Sequence, residues 1–524
     1  MLKKLITAAL CASVCVLFST TAKAFAQAPR TVAWLEDFEQ LKRELATHYA
    51  NLDWAVAERR LDLKQLSEQT EARLRDAQSD AQARQAIESF VRAFGDGHFH
   101  VQWPSANRPA APATNAPIKK DAPKNNKPSA PASLCERLDF RERRTAPGIA
   151  FDRLPGFEPH RTADSKYFPV GVLVLPDYKR SDGKRRDDNK PGGKRIGLLR
   201  IAIFSEHWFP DLCEKAASEL GLHKDSPCDE ACGDRVELRA ADLLTAALER
   251  QLAVLQAASI DALLVDITGN GGGSDWVEPA ARVLTRKPLR SPRIGFIKHA
   301  HWAKDFRSRL ADIERDAAQA TGPRRDMLKR AAATYRRALA AAKEPVSRDA
   351  VWQNQPVPTL VAKDPELFAS GILPYARSGD FPESPSSGQL FYPSRYRYHE
   401  GAYSGPLLVL VDQNTASAAE LFAAMLEDNA AAIMLGSPTV GVGFGYTNGG
   451  IPTLLKNSRA EIKMPDGVRY RSDGTNEAAG ITPRVLVPWH ANDSAYQRAG
   501  RVLAVLPNVE LGLGSNAGAE HLSR

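Results

Sequence analysis

The sequence predicts an α/β fold in which a sheet is layered with helices, and two observations predict it. Apolar strand-like runs at 196–201, 262–267 and 406–411 alternate with helix-patterned stretches. Two of these runs end in turns of small residues that feed straight into helices, from Trp276 and from Leu421 onward. At 524 residues, 43% hydrophobic and 25% charged, the chain can bury a sizeable core spread over two or three structural units.

The elements follow in order. Residues 1–28 read as a secretory signal peptide: Lys3 and Lys4 make a basic start, residues 5–20 are apolar but too short for a comfortable membrane span, and Ala22-Lys23-Ala24 or Ala26-Gln27-Ala28 offers a cleavage site. This predicts a periplasmic or secreted protein with no stable membrane insertion. Residues 29–103 form a helical bundle, because Phe38, Leu41, Leu45 and Leu52, then Leu63, Leu66 and Leu74, then Ile87, Phe90, Val91 and Phe94 recur at helical spacing. Residues 104–134 are a Pro/Ala-rich linker that cannot bury a core. Residues 135–195 carry scattered strands such as 170–175, and the core runs over 196–490. Within it, Phe306, Leu310 and Ile313, then Leu328, Tyr335 and Leu339, mark a helical-hairpin insertion at about 303–344, broken at Gly322-Pro323. The hairpin is either a lid or docking surface or a solvated ornament. Residues 491–524 are a C-terminal tail.

The chemistry concentrates in two turns. Thr415-Ala416-Ser417-Ala418-Ala419-Glu420 places a serine between a strand and a helix, where its hydroxyl is exposed and the next amide points at an incoming carbonyl oxygen. A serine near a helix start is otherwise an N-cap. Asp266-Ile267-Thr268-Gly269-Asn270-Gly271-Gly272-Gly273 is a glycine turn after a strand, which lets backbone approach a ligand and leaves amides as donors. Neither dinucleotide spacing nor a Walker lysine is present, so it is not read as a phosphate cradle.

Together these motifs resemble the serine peptidases that include C-terminal processing proteases, tail-specific proteases and the tricorn core. Asp266, Asn270, Gly272 and Gly273 match one family turn, and Thr415, Ser417, Ala418 and Glu420 the other. Thr268 stands where the family usually has Arg, a departure expected to loosen the turn. Residues 436–441 and 480–483 continue the resemblance, so it spans about 196–489. The resemblance implies a ClpP/crotonase-like layered core and serine endopeptidase activity on extended polypeptides, with no metal and no cofactor. Where the processing branch places its lysine base, this chain has Val442, which cannot accept a proton. The tricorn-like branch uses histidine, and Gly95-Asp96-Gly97-His98-Phe99-His100 supplies one. The implied set is Ser417 as nucleophile, His98 as base with His100 as its competitor, and Glu477 orienting the histidine. The implied oxyanion donors are the amides of Ala418 and Gly272, with Gly271 the alternative to Gly272. A peptide-binding PDZ domain, common in the family, has no carboxylate-binding loop signature over 135–194. The alternative function is a noncatalytic peptide- or ligand-binding protein on a peptidase scaffold.

Removal of the signal takes six cysteines to four: Cys135, Cys213, Cys228 and Cys232. An even count in an oxidising compartment favours two disulfides, with three pairings open, over a zinc site. The net charge of +8 loses Lys3, Lys4 and Lys23 with the signal, leaving 8 − 3 = +5. The basic patches at 179–180 and 184–186 alternate with Asp182, Asp187 and Asp188, so no nucleic-acid partner is expected.

Overall fold

The structure is a computed structural model and describes residues 30–104, 132–175, 193–344, 346–377, 380–381 and 384–509. The expected signal peptide, nearly all of the linker and the basic patches at 179–186 lie outside the described residues.

A seven-stranded sheet organises the core. Its order is Val485–Leu486, Ile433–Gly436, Leu407–Val411, Ala262–Asp266, Arg195–Arg200, Val170–Val174 and Phe157–His160. The first five strands run parallel. The last two add on antiparallel, so the strands within 135–195 extend the core sheet.

Leu407–Val411 and Ala262–Asp266 are buried along their whole length, as continuous apolar runs must be when both faces of a parallel sheet are covered. Helices Glu230–Ala257, Val277–Val283 and Ala418–Asp428 contribute to the core cluster on one face. Ala499, Val502 and Leu506 belong to the cluster on the other. The stretch expected as a tail therefore carries a packed helix, Ala495–Val505, capped by Ser494.

A second sheet holds Gly467–Tyr470, Arg293–Ile297 and Val361–Phe368, all antiparallel. Between the last two lie helices Ala300–Gln319 and Gly322–Ala342. The chain breaks at Ala320 and Thr321; Gly322 and Pro323 begin the second helix, where proline's missing N–H costs nothing.

The N-terminal helices, covering 30–48, Leu63–Asp76 and Asp80–Ala93, share a core with Leu455, Ala460 and Ile462. His100–Gln102 pairs with Glu461–Lys463, which fastens this helical unit to the core beside the His98 turn. The cysteines pair as Cys135–Cys213 and Cys228–Cys232.

Candidate active site

The two motif turns sit at the carboxyl ends of adjacent parallel strands, and hydrogen bonds zip them together. Ala416 N donates to the Asn270 carbonyl at 3.0 Å, Gly269 N to Asp412 Oδ1 at 2.8 Å, and Thr415 Oγ1 to the Ile267 carbonyl at 3.2 Å. Asn270 Nδ2 reaches the Ile201 carbonyl at 3.0 Å, so this one buried residue, through side chain and backbone, ties three strand ends. Thr268 does not loosen the turn. Its amide and hydroxyl both donate to Asp266 Oδ1, at 2.9 and 2.7 Å, while Arg200 from the neighbouring strand supplies the cation at 3.1 Å.

Ser417 has φ +56° and ψ −119°. An N-cap serine takes extended backbone angles, whereas a nucleophile elbow forces the serine into this strained region. The strain is held in place. Ser417 N donates to the Val442 carbonyl and to Glu420 Oε2, each at 3.1 Å. The buried Glu420 carboxylate also accepts from Val442 N at 2.6 Å, Gly441 N at 2.8 Å and Thr439 Oγ1 at 2.5 Å. Burial pushes the Glu420 carboxyl above its ordinary range, and these donors pull it back. Glu420 matched a motif in the sequence, but its partners 19 to 22 residues away carried no signal.

Gly272, at φ +106°, lies against the nucleophile: a Cβ there would stand 2.8 Å from both Ser417 Cβ and Ala418 N. Position and availability differ, however. The Gly272 amide already donates to Asn270 Oδ1 at 2.9 Å, so the expected oxyanion donor is occupied in this structure. Gly271 beside it is exposed.

His98 reaches this region on a loop clamped by Asp96. Asp96 Oδ1 accepts from His98 N at 2.9 Å, and its Oδ2 accepts from Asn51 Nδ2 at 2.8 Å and Tyr49 Oη at 3.0 Å. A Cβ on Gly97 would meet Val442 Cγ2 at 2.5 Å, so the histidine loop abuts the residue that binds Ser417. The His98 ring packs 5.6 Å from Tyr446, whose hydroxyl donates to the His98 carbonyl. Burial lowers the imidazole pKa, Asp96 opposes that shift, and Arg469 adds to it. The neutral, proton-accepting form of His98 is thereby favoured, as a base requires. His100 instead sits in a strand facing Gln102, with its Nε2 at 3.2 Å from Gln102 Nε2.

Glu477 is buried, 1% exposed, on the next loop. Its Oε2 accepts from Arg469 Nε at 2.5 Å, and burial raises its pKa while Arg469 opposes the rise. Among the described residues no hydrogen bond joins Ser417, His98 and Glu477 side chains, and the buried Nδ1 of His98 has no partner. Catalytic hydrogen bonds are commonly long in an empty site. Sequence reasoning missed Asn51, whose side-chain carbonyl accepts from Asn476 Nδ2 at 2.8 Å and so links the Asp96 and Glu477 loops. It missed Arg469 as well, since an arginine in a short alternating strand carries no motif. A cavity of about 300 Å³ adjoins the glycine turn, reached from Gly273, Ser274 and Asp275 and walled by Glu206, Tyr392 and Tyr396.

Comparison with known proteins identifies the family and the fold. The model of peptidase family S41 matches residues 195–487, more than half of the chain. An uncharacterized protein of Chlamydia muridarum (strain MoPn / Nigg) is 24% identical over 244 residues, covering 45% of this chain and 36% of that protein. A Chlamydia pneumoniae protein is 26% identical over 319 residues, covering 59% and 43%. The matches thus span less than half the length of these curated relatives. The crystal structure of mature CPAF shares the fold at TM-score 0.51 and 16% identity, over 90% of this chain and 96% of that one. Mature CPAF complexed with lactacystin gives 0.52 and 16%, over 90% and 97%. The chain belongs to peptidase family S41 and has a layered α/β core.

Proposed function

We propose that this family S41 member is an exported endopeptidase that hydrolyses extended polypeptides through Ser417, His98 and Glu477. The observation that carries the reading is the elbow: a non-glycine residue at φ +56° whose Cβ nearly touches a glycine turn rich in amides. His98 takes the Ser417 hydroxyl proton as the oxygen attacks the scissile carbonyl, then returns it to the leaving amine. The carbonyl oxygen, now an anion, meets the amide of Ala418 and an amide of the 271–272 turn, Gly272 serving once it exchanges Asn270 for the substrate. Glu477 supports the imidazolium that forms between these steps. Water then releases the acyl group by the same route.

Export is supported by the amino-terminal pattern of residues 1–28 and by two disulfides, which persist in oxidising compartments. No helix among the described residues is long and apolar enough to cross a membrane. The substrate lies as an added strand beside the site, the cavity at Gly273–Asp275 taking one of its side chains.

The test is fluorophosphonate labelling with cut-site mapping on an unfolded protein. Label should appear on Ser417, and Ser417→Ala and His98→Ala should each abolish turnover without unfolding the chain, while Glu477→Ala keeps more residual activity. Undiminished hydrolysis by His98→Ala would overturn the assignment and move the search to His100.

A further inference from the structure

Three buried polar atoms without hydrogen-bond partners converge on this site: Nδ1 of His98, Oε1 of Glu477 and Nη2 of Arg469. Such atoms are costly, and a cluster of them marks a place held ready for chemistry. Arg469 connects the other two. From strand Gly467–Tyr470, paired to the insertion-bearing strand at Ile294, it donates through Nε to Glu477 Oε2. Its guanidinium lies 5.9 Å from the centre of the Phe444 ring, and the Phe444 backbone is among the groups beside the His98 imidazole that favour its protonated form. On the far side, the chain Asn476, Asn51, Asp96 and His98 N joins the same two loops through hydrogen bonds of 2.8 to 2.9 Å.

We propose that Arg469 is a positioning residue of this site: through Glu477 on one side and Phe444 on the other, it fixes the two loops that flank His98. The inference rests on the roles proposed above for His98 and Glu477, and it adds a residue that no motif assigns. Lysine cannot take its place fully, because the bond uses Nε within a planar fork whose other nitrogens extend past it.

The charge has a second consequence. Facing His98 are Asp96, His100, Tyr446 and Arg469, and of these Asp96 favours the imidazolium while Arg469 and His100 oppose it. Facing Glu477 are Arg469, Arg471, Asp428 and Glu420, and Arg471 is already committed to Asp428 and Glu427. Removing Arg469 therefore raises the His98 pKa, and any negative charge then left unpaired on Glu477 raises it further. Neutral base is lost at a given pH, so the rising limb of activity moves upward.

The experiment measures kcat, KM and the pH profile on a quenched fluorogenic unfolded polypeptide. Arg469→Met should lower kcat about 10- to 100-fold with KM changed less than about threefold, and should move the midpoint up by on the order of one pH unit. Arg469→Lys should keep the wild-type midpoint while recovering only part of kcat. The double variant Arg469→Met/Glu477→Gln, which leaves no lone buried charge and so retains the fold, should be no slower than the worse single variant. Wild-type kcat and midpoint in Arg469→Met, or losses that add in the double variant, would overturn the proposal. Should Arg469→Met fail to fold, the lysine and double variants decide between the same two outcomes. If Ser417→Ala or His98→Ala retains activity, the underlying catalytic reading has failed instead.

Discussion

Glu420→Gln tests how the elbow is held. The carboxylate takes two donors on each oxygen: Thr439 Oγ1 and Gly441 N on Oε1, Val442 N and Ser417 N on Oε2. A carboxamide keeps one acceptor oxygen and replaces the other by a donor. The oxygen settles best at the Oε2 position, because both donors there are backbone amides that cannot turn away. The new NH2 then faces the Thr439 hydroxyl, which can rotate and accept, and Gly441 N, which cannot. One buried amide is left unpaired, at about 1–3 kcal/mol, and the surviving bonds lose their charge assistance, about 1 kcal/mol more. Burial opposes the native charge, and losing it offsets part of this. A destabilisation of about 2–3 kcal/mol remains. The thermal midpoint should fall by a few degrees, and kcat about tenfold or more, since the amide that loses its partner adjoins Val442, whose carbonyl holds Ser417 N. Calorimetry and turnover on the same unfolded polypeptide check both. A variant with unchanged midpoint and unchanged kcat would refute the clamp.

Two further outcomes follow from single observations. Burial depresses the His98 pKa, and only the neutral imidazole accepts a proton, so kcat/KM should rise through a midpoint below the ordinary histidine value of about 6.5; a profile silent until strongly alkaline pH would point to a lysine base instead. The Cys135–Cys213 bridge closes a separation of 78 residues against 4 for Cys228–Cys232, and chain entropy assigns them about 4–5 and about 2 kcal/mol; Cys135→Ser/Cys213→Ser should therefore lower the unfolding midpoint more than Cys228→Ser/Cys232→Ser, as read by differential scanning fluorimetry.

What was legible in the sequence was what lies contiguous in it. The Ser417 and Gly272 turns could be read because strand, turn and helix start fall within a dozen residues, and apolar runs such as 407–411 announce a strand buried on both faces. What holds those turns was not legible. Asn51 meets Asn476 across 425 positions, and Arg200 does for Asp266 what a residue at 268 was expected to do. Each depends on register between elements, which no local pattern encodes. The helix Ala495–Val505 was missed although its signals are local: Ser494 and Gln497 form a capping box, and Ala499, Val502 and Leu506 recur at helical spacing before they pack on the sheet.

Val442 shows how one substitution and a distant loop fit together. At the position where the processing branch of the resemblance carries a lysine, this chain places an apolar residue 7% exposed. Its amide is held by Glu420, its carbonyl holds Ser417 N, and its side chain fills the space where residue 97 has no Cβ. Any side chain at 97 would meet Val442 Cγ2 at 2.5 Å, and any longer residue at 442 would push against the same backbone. Glycine at 97 and valine at 442 are thus a matched pair. Their contact brings the His98 turn against the serine's own backbone anchor, so Val442 is the surface on which the loop of the proposed base rests.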